Sequence, residues 1–443
     1  MGKAKKCVTA VFTLLVSVHA ADWPQFCGPD RNNISSETGL ARSWPEGGPK
    51  EVWSADVTEG YAGPAIKDGK VYFLEHEDEV SSVRCLALDS GKELWRVEFD
   101  DPGGLSNKRY PGTRGTPTVT GDALYAVTLF GKAVCVDLES HKIKWQLNLE
   151  DRGRESQKYG FAQSPEVHEN RVFFAPLSKE NSVFAVDKDT GEVVWKLSDH
   201  PGGGFASPIL LPLAGEDQLV VMLGGERAPK KRRRRRQAEE SEQPEGPKKL
   251  RPTHVIGVSP KDGKVLWSYD GWSCHNPIPH PILVDEDTIF ITAGYESVSM
   301  LLRIEKGADG YTVEELMKTE DAATWIEQPV FINNHLFVGG NSKSSKNGLV
   351  CIDLQGTVKW DTNEIDSAPK FDHLNMIAAD NMLIGLDGDS GMLHLIEALP
   401  KGFNELSSAK VVAEKGQTWS PIALSDGKLV VRDHHVMKCL DLK

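Results

Sequence analysis

Glu327, Asp372 and Asn375 are the side chains of this 443-residue chain best suited to a hard divalent cation. Two carboxylates and a carboxamide offer the oxygen ligands that calcium takes, although nothing in their spacing fixes a common geometry. Other residues in the same kind of segment suit the holding of a small molecule. Tyr61, Trp325 and Trp419 offer flat apolar faces, Arg114 a charged fork, Gln163 a carboxamide, and His280 and His373 imidazoles. Arg109, Phe205, His275, Tyr295, Glu296, Asp433, His434 and His435 fall in comparable places. The alternative reading is a polar, water-filled funnel with no ligand. Asp387-Gly388-Asp389-Ser390-Gly391 has the first half of a calcium loop without its closing Glu, and reads as a hairpin turn. His434-His435 are adjacent, so in a strand their rings diverge. No G-x-S-x-G, H-E-x-x-H, C-x-x-C or phosphate-binding Gly-rich loop occurs. No catalytic residue is assigned.

What brings such distant residues together is a repeat. Each unit opens on a small or polar residue, usually before Pro: Gly63-Pro64, Thr116-Pro117, Ser164-Pro165, Ser207-Pro208, His280-Pro281, Gln328-Pro329, Asn375-Met376 and Ser420-Pro421. A second strand follows at runs such as Val71–Leu74, Leu124–Val127 and Leu429–Val431, β-branched and aromatic between turn residues. A third strand ends in a turn of the type Asp187-Lys188-Asp189-Thr190-Gly191, and a fourth opens at Trp. In that turn Asp and Thr bond the backbone and Gly accepts positive φ. Trp53, Trp95, Trp145, Trp195, Trp267 and Trp360 are the repeat tryptophans, large flat groups to bury between neighbouring sheets.

Four strands per unit at this period predict propeller blades. The last unit stops after three strands at Cys439–Leu442, and the missing fourth stands at the other end, at Glu51–Val57. The expected fold is therefore all-β, an eight-bladed β-propeller closed by its N-terminal strand in the last blade, which removes the open sheet edges. The loops entering the first strand of each blade, with those joining the second and third, share one face. The candidate residues above gather there.

Three segments lie outside the repeat. Residues 1–21 read as a signal peptide, with Lys3, Lys5 and Lys6 before a short apolar run and Val18-His19-Ala20 at the cleavage site. Residues 22–50 form an N-terminal strap ahead of the propeller at 51–443. An insert at 225–251 joins a basic run, Lys230 to Arg236, to an acidic, Pro-containing half and lacks apolar residues. It reads either as an arm for an anionic surface or as a solvated, self-neutralising loop. The formal charge of −13 argues against general nucleic-acid binding. No second apolar stretch is long enough to span a membrane. The expectation is an exported protein, periplasmic or secreted, and a monomer. Four cysteines, Cys85, Cys135, Cys351 and Cys439, occupy one repeated strand position and read as buried thiols. Cys27 and Cys274 are the irregular pair, and whether they form a disulfide is left open.

The motif Ala185-x-Asp187-x-x-Thr190-Gly191-x-x-x-Trp195 resembles the signature repeat of pyrroloquinoline-quinone (PQQ) type propellers, and the resemblance covers about residues 51–443. That family includes quinoprotein alcohol dehydrogenases and the non-catalytic BamB-type propellers of outer-membrane barrel assembly. The leader Asp22–Arg31 resembles the opening of exported PQQ-like repeat proteins of planctomycete-type bacteria, with Cys27 where Arg is expected. The resemblance implies the propeller shape and a quinone-holding face in the catalytic members. Those members would show a vicinal Cys pair in the alcohol-dehydrogenase type, a calcium-binding Glu/Asn/Asp set and a catalytic Asp. No two cysteines are adjacent here. No cofactor is therefore expected, with PQQ and calcium as the alternative. The function expected is a non-catalytic binding or scaffold module of the cell envelope, its partner a protein or an anionic envelope polymer. The alternative is a PQQ- and calcium-dependent dehydrogenase of alcohols or sugars.

Overall fold

The computed structural model describes residues 22–105, 107, 109–149, 158–225, 253–274, 276–295, 297–340, 348–412 and 417–443. The leader, nearly all of the 225–251 insert, His275 and Glu296 lie outside these residues.

Strands numbered β1 to β32 in chain order make eight four-stranded antiparallel sheets. Blade 1 holds β2 (Ala65–Lys67), β3 (Lys70–Glu77), β4 (Val80–Ala87) and β5 (Glu93–Asp100). Blades 2 to 7 follow with the same meander, their innermost strands β6 (Thr118–Thr120), β10 (Glu166–His168), β14 (Ile209–Leu213), β18 (Ile282–Leu283), β22 (Val330–Ile332) and β26 (Leu374–Ala379). Blade 8 has β30 (Ala423–Ser425), β31 (Lys428–Arg432) and β32 (Val436–Asp441) from the end of the chain, and β1 (Lys50–Asp56) from its beginning. β1 runs antiparallel to β32 with Ala55 opposite Met437 and Trp53 opposite Cys439. The eight-bladed ring and its closure are as the repeat predicts. The insert leaves blade 4 between β15 (Glu216–Leu223) and β16 (Thr253–Val258), its second and third strands.

The core lies between blades. Tyr72, Cys85 and Val97 of blade 1 pack with Leu124, Val134 and Val136 of blade 2, all buried. The repeat tryptophans build these interfaces in a specific way. Each sits opposite a small residue in its own sheet: Cys85 across from Trp95, Cys135 from Trp145, Ala185 from Trp195, Gly257 from Trp267, Cys351 from Trp360 and Cys439 from Trp53. The repeated cysteine is thus the small half of a large–small pair, which close packing requires. Beyond the sheet the indole reaches the closing turn of the next blade. Trp145 Nε1 donates to Lys188 O at 2.8 Å, Trp195 to Pro260 O at 3.0 Å and Trp360 to Leu399 O at 2.9 Å. A Cβ on Gly191 would stand 2.8 Å from the Trp145 ring, and one on Gly263 2.6 Å from Trp195. The glycine therefore serves two ends: it accepts φ of +74° in the turn at Gly191 and leaves room for the previous blade's indole. Two tryptophans depart from the pattern. Trp95 is only half-buried and stacks on His141 at 4.9 Å, and Trp267 turns to Gln218 Oε1 at 2.6 Å. The Asp of the turn acts as expected, Asp187 Oδ1 accepting from the backbone of Asp189 and Thr190 at 3.0 Å each.

The strap enters the ring. Trp23 exchanges two backbone hydrogen bonds with Ile66 on the innermost strand of blade 1, at 2.8 and 2.7 Å. Pro24 O then accepts from Val119 on blade 2, and Arg31 forms a buried ion pair with Glu166 on blade 3 at 3.0 Å. Asn33 and Ser35 bond Ala378 on blade 7. The segment thus crosses the central channel between opposite sides of the ring. All six described cysteines, Cys27 and Cys274 included, are buried free thiols.

Candidate functional site

Eight inner strands meet around an axis, and the loops entering them carry side chains inward. The strap closes the channel below them. Between the two lies a cavity of about 270 Å³. Its floor is Phe26, Cys27 and Asn33 from the strap; its wall and mouth are Tyr61, Tyr110, Arg114, Tyr159, Phe205, Asn276, Tyr295, Trp325, Gln328, Asn375 and Trp419 with a few aliphatic side chains.

The mouth is a continuous array of rings. Phe205 lies 6.0 Å from Tyr159, Tyr159 6.0 Å from Tyr110, and Tyr110 5.8 Å from Trp419. Trp419 also stacks on Tyr61 at 5.6 Å and on His373 at 4.4 Å, and meets Trp325 edge-on at 5.9 Å. Tyr295, from the loop between the second and third strands of blade 5, extends the array against Trp325 at 5.6 Å. Such offset and edge contacts are the favoured aromatic geometries and hold the wall in shape.

Arg114 is the sole charged residue among those lining the cavity. Its guanidinium donates to Gly112 O at 2.7 Å and to Tyr110 O, and lies 5.5 Å from the Tyr61 ring. No carboxylate pairs with it among the described residues. Burial pushes its pKa down to about 10, which still leaves it charged at neutral pH.

The carboxylates near the mouth are engaged elsewhere. Glu327, 1% exposed, holds His373 Nδ1 at 2.7 Å through Oε1 and accepts from Thr324 Oγ1 at 3.1 Å and Ile326 N at 3.3 Å through Oε2. Asp372 Oδ1 lies 3.7 Å from His373 Nε2. Burial disfavours charge on His373, but the Glu327 and Asp372 carboxylates outweigh it and raise its pKa. Burial also raises the Asp372 carboxyl. The metal trio therefore does not present a shared set of free oxygens, because Glu327 is turned onto an imidazole. No group of three His, Cys, Asp or Glu close enough to hold a metal ion occurs among the described residues. A tricarboxylic quinone fits no better, since the lining offers it one cation and packed rings.

Of the residues singled out in the sequence, Tyr61, Arg114, Phe205, Tyr295, Trp325, Asn375 and Trp419 line the cavity, with His373 against Trp419 at its edge. Gln163 and His280 do not. Gln163 Nε2 donates to Ala206 O at 2.9 Å within the blade 3–blade 4 packing. His280 is buried beside Phe26, its Nδ1 3.0 Å from Pro281 O, and burial pushes its pKa down to about 4. Arg109 is exposed over Tyr110. Asp433 Oδ1 accepts from His435 N and Val436 N in a tight turn, and His434 Nδ1 accepts from Gly60 N. Asp387 likewise caps a hairpin turn through Ser390, as its residue types predict. Sequence reasoning missed Tyr110, Tyr159 and the strap floor. The signal for the tyrosines was an aromatic a few residues before most unit starts, blurred because the offset varies from blade to blade.

A model of the family described as "outer membrane protein assembly factor BamB" matches residues 79–362. No curated protein matches the chain in sequence. Among solved structures, BamB from Moraxella catarrhalis is similar at TM-score 0.60 and 12% identity, covering 89% of this chain and 98% of that one. The quinohemoprotein alcohol dehydrogenase from Comamonas testosteroni reaches TM-score 0.62 at 13% identity, over 95% of this chain and 80% of that one. At these identities the likeness is one of fold.

Proposed function

We propose that this chain, which belongs to the PQQ-like β-propeller family described as outer membrane protein assembly factor BamB, is an exported, non-catalytic binding or scaffold module of the cell envelope. The observation that carries the reading is the state of the polar groups at the mouth. Glu327 and His373 bind each other, Asp433 caps a turn, and the cavity wall carries no carboxylate. Acid–base and metal chemistry need such groups to converge on a reacting atom. Here rings and one arginine converge instead, an arrangement suited to holding something in place. The residues 1–21 leader supports export, and a protein or an anionic envelope polymer is the partner class. No helix among the described residues is long and apolar enough to cross a membrane.

The competing reading is a PQQ- and calcium-dependent dehydrogenase, favoured by the likeness of fold to quinohemoprotein alcohol dehydrogenases. A titration of the mature protein with PQQ, with and without calcium, separates the two. The expected result is no calcium-dependent binding and no reduction of an artificial electron acceptor with any alcohol or sugar. Saturable binding with dye reduction would establish the dehydrogenase. Export is checked by cell fractionation and by the mature N-terminus, expected at Ala21 or Asp22.

A further inference from the structure

We propose that the central cup binds a small compound carrying a single carboxylate on an aromatic body. The inference deepens the binding-module reading and rests on it. Three observations carry it. The cup is a preformed, largely apolar cavity of about 270 Å³, floored by the chain's own strap and rimmed by aromatic side chains. That wall offers rigid flat faces in Tyr110, Tyr159, Trp325 and Trp419, which favour a planar apolar body. Arg114 is the lone charge on the lining, and two of its five N–H groups are held by carbonyl oxygens. The remaining N–H groups suit a carboxylate, the partner to which a guanidinium fork is matched.

An aromatic cup can also hold a quaternary ammonium ion. The charge on the wall decides against that. Arg114 already lies over the Tyr61 face, and a second cation would meet it without a lining carboxylate to offset the repulsion. Trp419 Nε1 and Asn375 Nδ2 are among the N–H groups of lining residues that are buried without an acceptor. A ligand oxygen is the kind of group that satisfies them. A neutral sugar would bring oxygens but leave Arg114 uncompensated in a desolvated wall, and a tricarboxylate would bring more negative charge than one arginine can match.

The test uses the full mature chain and four probes: phenylacetate, its neutral isostere phenylacetamide, choline and glucose, followed by tryptophan fluorescence and by calorimetry. Phenylacetate is expected to bind saturably and roughly tenfold or more tighter than phenylacetamide, the difference expected for a hydrogen bond to a charged group. Arg114→Gln should remove that difference, and Asn375→Asp should weaken phenylacetate without weakening phenylacetamide. Arg42→Gln, on the strap's exposed side and paired with Glu397, should change neither. Each variant is first matched to the parent in melting temperature, and the two cup variants act independently, so one failing to fold does not end the test. Equal binding of acid and amide, tighter binding of choline or glucose, or no binding of phenylacetate at millimolar concentration would each overturn the proposal. Calcium-dependent PQQ binding with dye reduction would instead overturn the binding-module reading beneath it.

Discussion

Trp53 donates its indole N–H to Leu88 O at 2.6 Å, joining the first strand of the chain to the closing turn of blade 1 across the seam of the ring. The same contact recurs at three other blade boundaries, so this one is built like an ordinary interface although blade 8 draws its strands from both ends of the sequence.

Removing that indole should open the seam. Trp53→Ala is expected to cost about 3–5 kcal/mol, the range for truncating a buried Trp. Gly91→Ala attacks the same contact from the other side, since its Cβ would stand 2.7 Å from the Trp53 ring. Gly69→Ala is the control, with a similar φ of +69° but open space around it. It should cost only the backbone strain, about 1–2 kcal/mol. Thermal or denaturant unfolding of the three variants checks the order.

The strap should be held chiefly by its buried ion pair. Arg31 and Glu166 have 3% and 8% of their side chains exposed, and Arg31 also donates to Pro165 O. Arg31→Met strands a buried carboxylate and should destabilise by about 3–5 kcal/mol, whereas Arg31→Met with Glu166→Leu should recover most of the loss. Protease susceptibility near residues 22–36 should follow the same order.

Two buried histidines should give opposite pH dependences. His280 has its pKa lowered to about 4, so the unfolded chain takes up its proton first as pH falls. Its contribution is complete above about pH 6.5 and is lost on acidification, by about 2 kcal/mol at pH 5. His373 has a raised pKa in the folded protein. Its pairing with Glu327 is fully stabilising below about pH 6.5 and fades as pH rises through the folded value. His280→Phe should therefore flatten the acid side of a stability–pH curve, and His373→Gln the fall in stability above about pH 6.5.

Thiol chemistry should distinguish Cys27 and Cys274 from a disulfide. Both are buried free thiols, and burial raises their pKa. The intact mass should show six unoxidised cysteines after leader removal. A thiol reagent should react with none of them quickly until the protein is unfolded.

The ring was legible in the sequence because its determinants are local and repeated. The Asp187–Gly191 turn, the Trp195 that follows it and the Pro that opens seven of the eight blades are local signals, and their copies reinforce the register. The orphan strand at Trp53 was found by counting strands alone. The site was legible in part, since a loop before an inner strand must face the axis. Two physical facts stayed hidden. Glu327 is neutralised by His373 rather than by a metal, a choice made by two residues 46 positions apart. Gln163 bonds a backbone carbonyl in the blade packing and His280 lies beneath the cavity against Phe26, and side-chain direction within a loop has no period to read.

Blade 8 also imposes an order in time. β1 is synthesised before every other strand of the ring, and the strand it pairs with, β32, comes last. Until Val436–Asp441 emerge, β1 has no strand to pair with, and blades 1 to 7 can stack only as an open arc with an uncovered sheet face at each end. The last step is therefore a latch between the earliest and the latest parts of the chain. Interrupted synthesis leaves an adhesive arc, so the ring is safest when released whole into the compartment where it folds.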